Sequence, residues 1–131
     1  MIHGGEFNGR CFNDFHALNL QTMQWTKIEE TGLLEGISRH SLTKVSEKDI
    51  VLVGGDLETI ESNKLMIYNV KKGQWREKAP LPVEVAGLLL HGAIHVPNED
   101  GVFILCVGGF VNRQLKNHPN AMALLNIQYT Q

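Results

Sequence analysis

The chain has 131 residues, 43% apolar and 20% charged, with twelve Lys+Arg against fourteen Asp+Glu for a net charge of −2. That balance is expected of a soluble folded chain; it argues against disorder and provides no basic surplus for nucleic acid. No apolar stretch approaches the roughly 20 residues of a membrane helix, and no basic-then-apolar leader opens the sequence, so neither a membrane nor a secretory route is expected.

Two cysteines, Cys11 and Cys106, are too few for a disulfide framework. They read as free thiols of a reducing compartment, which points to the cytoplasm or the nucleus.

In chain order, Met1-Ile2-His3 reads as the end of a strand that starts ahead of Met1 and closes on Gly4-Gly5. Residues 6–12 read as a connecting loop, and residues 14–20 as a strand carrying Phe15, Leu18 and Asn19. The polar stretch 21–24 is a hairpin turn leading to Trp25. Another strand opens at His40-Ser41. Residues 49–55 form a β-branched run closed by Gly54-Gly55, as expected of a strand buried on both faces. A loop at 56–63, a strand at 64–70 with Tyr68, a turn at 71–74 and Trp75 follow. The pattern then returns with a strand from His91, an apolar run closed by Gly108-Gly109, a loop at 110–120 and a strand at 121–127.

The glycine doublets are 50 and 54 residues apart, and Trp25 and Trp75 are 50 apart, each 21 residues after the start of a doublet. Asn19, Asn69 and Asn126 mark one place in three strands. A self-similar period near 50 residues signals a repeat architecture. No long stretch carries a 3.6-residue apolar period, so the expected fold class is all-β, in four-stranded units.

This order of markers resembles the kelch repeat, in which four strands form one blade of a β-propeller. The signature positions are Gly4, Gly5, Trp25, His40, Gly54, Gly55, Tyr68, Trp75, His91, Gly108 and Gly109. The second unit matches best; Leu18 and Leu125 stand where it has Tyr68. The resemblance implies an incomplete kelch-type propeller over residues 1–131: about 1–30 a blade lacking its first strand, about 37–80 a complete blade, about 88–131 a blade lacking its last. That makes ten strands. It further implies the carboxy-terminal fragment or short isoform of a larger propeller, or two chains pooling their strands into one five-bladed ring. Open blade edges would favour self-association.

The glycines are expected to supply positive-φ turns and close backbone approach, and Tyr68 and Trp75 to fill the gaps between blades. Catalytic motifs are missing from the sequence: there is no Cys-x-x-Cys, His-Glu-x-x-His or Gly-x-Ser-x-Gly. On a strand His91 and His95 would stand about 13 Å apart, too far for one metal. No copper or iron ligand set like those of some kelch enzymes is found, so no metal, cofactor or catalytic residue is expected. Arg39-His40 is expected to serve the start of its strand, and carboxylates such as Asp49 and Glu58 to be solvated caps.

Most kelch propellers recruit other proteins, so the resemblance implies a protein–protein interaction module with a protein partner. The three loops joining second and third strands should crowd one rim. The candidate contacts on them are Phe7, Arg10, Phe12, Glu58, Phe110 and Arg113. As an alternative, the last unit resembles the carboxy-terminal kelch region of the wybutosine-synthesising tRNA methyltransferases, relatives of leucine carboxyl methyltransferase. The residues behind that likeness are Leu88-Leu89-Leu90-His91, Val96-Pro97-Asn98-Glu99, Gly108-Gly109 and the stop soon after Leu125-Asn126-Ile127. The catalytic domain of such an enzyme would lie outside this chain.

Overall fold

A computed structural model describes residues 1–29, 32, 35–78, 80–82, 85–111 and 122–127. Strands β1 (Ile2–Phe7), β2 (Arg10–Asn19) and β3 (Gln24–Lys27) form a first sheet in that order. Strands β4 (Ser41–Lys44), β5 (Asp49–Val53), β6 (Leu65–Asn69) and β7 (Gln74–Glu77) form a second, also in chain order. The third unit contains β8 (Leu88–Leu89), β9 (Gly92–Asn98), β10 (Gly101–Val107), β11 (Phe110–Val111) and β12 (Met122–Ile127). Its main sheet runs β9-β10-β12, while β8 pairs with β11 alone. All these pairings are antiparallel. The sum of ten expected strands omits β8 and β11, whose two-residue pairing is too short to leave a periodic signal.

The first two units share a hairpin turn closed by the same main-chain bond. The Asn19 carbonyl accepts the Met23 N–H at 2.8 Å, and the Asn69 carbonyl accepts that of Gly73 at 2.9 Å. The Asn19 side chain caps Gln21 and Thr22, and that of Asn69 caps Lys72. These bonds explain why asparagine marks the place: its side chain satisfies turn amides that the ladder leaves open. Asn69 also donates to Asp49 at 2.9 Å. Asp49 is therefore buried rather than a solvated cap.

One stretch expected to be a loop is strand. Residues 6–12 lie in β1 and β2, joined through Asn8 (φ 50°) and Gly9 (φ 76°). Asn-Gly with positive φ at both centres is the pair a type I′ hairpin turn selects. The ladder shifts register between His3 and Gly5, so the first glycine doublet sits in a bulge within β1 rather than after it.

The core lies between sheets. Because strand side chains alternate faces, β5 sends Ile50 and Leu52 one way and Val51 and Val53 the other. Ile50 and Leu52 join Met66, Tyr68 and Trp75 against Phe15 of the first unit. Val51 and Val53 join Leu65 and Ile67 against Ile104, Cys106, Leu125 and Ile127 of the third. Each sheet thus has a leading face, turned to the preceding unit, and a trailing face, turned to the next.

Candidate rim site

The units are stitched at their glycines. Gly5 donates its N–H to the carbonyl of Ile37, and Gly55 to that of Leu88, both at 2.8 Å. A Cβ on Gly4 or Gly54 would land on the same two carbonyl oxygens. Three residues beyond each carbonyl stands a histidine: His40 beside Gly4 and His91 beside Gly54. His40 meets the ring of His3 edge-on at 5.5 Å, and the His91 Nε2 lies 2.7 Å from the Ser41 hydroxyl. Burial, reinforced by repulsion from His40, lowers the pKa of His3 and of His91 to about 4; burial also lowers that of His40.

Where the first and second units meet, the tip of the β1–β2 hairpin and the segment after Gly55 enclose a cavity of about 390 Å³. Glu6, Gly9, Cys11, Arg39, Asp56 and Glu58 line it. Arg39, itself at φ 57°, reaches both units: its guanidinium pairs with Glu6 at 2.9 Å and with Asp56 at 2.6 Å. Asp56 is buried, so the pairing compensates a carboxylate removed from water. Glu58 accepts the Cys11 N–H at 2.8 Å across the same junction, which makes it a strut between units rather than a solvated cap. The Cys11 thiol points at the Ser38 hydroxyl and the Asp56 carbonyl, both at 3.5 Å. Three carboxylates and one guanidinium give the cavity an anionic balance that suits hydrogen-bond donors and cations.

Comparison with family models gives no match. Curated proteins do match. The human protein "Multiple epidermal growth factor-like domains protein 8" is 32% identical over 82% of this chain and 4% of its own length. The human "Kelch domain-containing protein 10" is 30% identical over 83% of this chain and 26% of its own. The bovine "Kelch domain-containing protein 2" is 27% identical over 97% of this chain and 32% of its own.

The chain belongs to the kelch-repeat family.

It spans less than a third of each of these relatives. Its sheets form an incomplete kelch-type propeller. The wybutosine methyltransferase likeness gains no support from these relatives.

Of the candidate contacts, Glu58 alone lines the kelch rim cavity among the described residues. Phe7 pairs with Arg10 and Gly5 with Phe12, while Glu6 pairs with Cys11. Alternation therefore puts Phe7, Arg10 and Phe12 on the hairpin face opposite Glu6 and Cys11. Phe110 is exposed at the start of β11, opposite Leu89. Arg113, with residues 112–121, lies outside the described residues.

The structure adds Arg39, Asp56, Glu6 and Cys11 to the rim. Arg39 adjoins a repeat histidine in sequence and stands 33 residues from Glu6 and 17 from Asp56, so its charge carries no local signal. Trp25 lies on the outer, leading face of the first kelch sheet, largely exposed, whereas Trp75 is packed against Phe15, Tyr68 and His3.

Proposed function

We propose that the chain is a non-catalytic polypeptide-binding module whose contact surface is the rim cavity spanned by Arg39. Kelch repeats act in protein–protein interaction, and this family membership supports the general reading. The observation that carries the finer one is the Arg39 bridge. It fixes the hairpin tip and the loop after Gly55 as walls of one cavity, so Glu6 and Glu58 keep a constant geometry towards it, with Asp56 buried behind Arg39. A preorganised anionic cavity of that size receives a lysine or arginine side chain of an extended partner segment. The buried thiols and the strut role of Glu58 favour recognition over chemistry.

The test is a display selection of random peptides on the full chain, followed by affinity measurement on the selected sequences. Selected peptides should carry a basic residue and bind Glu58→Gln and Glu6→Gln roughly tenfold or more weakly, a loss of about 1.4 kcal/mol. Selected peptides without basic residues, or with affinity indifferent to both substitutions, would reject the rim as the contact.

A further inference from the structure

We propose that a second copy of this chain packs head to tail on it, the outer face of the first sheet of one copy against the outer face of the third sheet of the other. The proposal does not depend on the rim cavity.

The argument is positional. On the trailing side of each unit, one cross-strand pair recurs: His3–Phe15, Val53–Leu65 and Val107–Met122. In the first unit this pair is the seat of Trp75, whose ring lies 5.3 Å from that of His3 and 5.8 Å from that of Phe15. In the second unit, Val53 and Leu65 are 0% and 6% exposed against the third unit. In the third unit, Val107 and Met122 are 50% and 72% exposed, and Leu124, the counterpart of the fully buried Ile67, is 58% exposed. That seat is an open apolar sheet face.

The group that fits it is on the same molecule. Trp25 holds the place of Trp75, pairing with Leu18 as Trp75 pairs with Tyr68. It is 55% exposed where Trp75 is 8% exposed. The chain therefore presents a leading face at one end and a trailing face at the other, and the interior of the same chain shows how two such faces pack. This is a heterologous contact, which closes if the rotation per unit allows it. Two copies bring six main sheets, within the 4–8 blades over which propellers close. Exposed apolar side chains stand at both ends: Ile2 and Trp25 on the leading face, beside the Asp14–His16 pair, and Val107, Met122 and Leu124 on the trailing face.

Analytical ultracentrifugation of the full chain over a roughly hundredfold concentration range tests this. The mass should rise from that of the 14.6 kDa chain to twice it. Trp25→Glu and Met122→Lys should each sediment as monomers with unchanged circular dichroism, since both positions are exposed. Mixing the two variants should restore the doubled mass, because one junction is then native and the other pairs opposite charges. Leu124→Lys replaces Met122→Lys if that variant fails to fold. A monomer throughout, a series of still larger masses, self-association of Trp25→Glu equal to that of the unsubstituted chain, or no rescue on mixing would each overturn the two-copy ring.

Discussion

Gly55 donates its main-chain N–H to the carbonyl oxygen of Leu88 at 2.8 Å, across the boundary between the second and third units. Gly5 and Ile37 repeat the bond one boundary earlier. The doublet is asymmetric in what it touches. Its first glycine faces the next unit, Gly4 meeting Ile37 and Gly54 meeting Leu88. In the second and third units the open side of the second glycine faces its own unit, Gly55 meeting Ser38 and Gly109 meeting Leu89, whereas Gly5 has open space beside it. At Gly54-Gly55 both glycines are needed because one corner of backbone is approached from both sides.

Gly54→Ala should therefore cost about 2–4 kcal/mol in denaturant unfolding, combining φ +64° with a methyl placed on the Leu88 carbonyl. Gly92→Ala, at ordinary backbone angles with its nearest neighbour 3.9 Å away, should change stability by less than about 1 kcal/mol. Equal effects at the two sites would remove the close-approach explanation.

Trp75→Ala should destabilise by about 3–5 kcal/mol, because it empties the space among Phe15, Tyr68 and His3. Trp25→Ala, in dilute solution, should cost less than about 1 kcal/mol. Thermal melts of both variants decide it; loss of peptide binding in Trp75→Ala with an unchanged melt would make that residue a contact rather than a core group.

The histidines make stability depend on acidity. His3 and His91 hold pKa values of about 4 when folded, below the ordinary 6.5. Between these values the unfolded chain takes up protons that the folded chain refuses. Stability accordingly falls as pH drops from about 6.5 to about 4 and is full above that window, with a total loss of roughly 2–4 kcal/mol for the pair. Urea unfolding at successive pH values measures the slope, and His91→Asn should flatten it; a flat profile in the unsubstituted chain would contradict the buried neutral state.

Arg39→Ala leaves the buried Asp56 without the guanidinium that faces it at 2.6 Å. A loss of about 2–3 kcal/mol is expected, and adding Asp56→Asn should recover part of it by removing the stranded charge. A double-mutant cycle in urea gives the coupling; strict additivity would show that the pair is only a surface contact.

How far the sequence could be read follows from the range of each interaction. The period near 50, the strand order, the asparagine turns and the aromatic places were legible because each is a local pattern, repeated in phase. The Asn8-Gly9 hairpin was legible too, but the expectation of a loop after the glycine doublet obscured it. The Arg39 bridge was not. Its partners Glu6 and Asp56 are brought to it from two different units by the stitching of Gly5 to Ile37 and the pairing of Ser38 with Asp56.

Composition and spacing by themselves determined an all-β repeat chain and the residues that mark each unit, since strand periodicity and turn chemistry act over a few residues. The tertiary structure alone decided what each marker does. Trp25 and Trp75 occupy the same place in the repeat, yet one is open and the other buried. Burial is a property of the neighbouring sheet, and no residue carries it in its own sequence context.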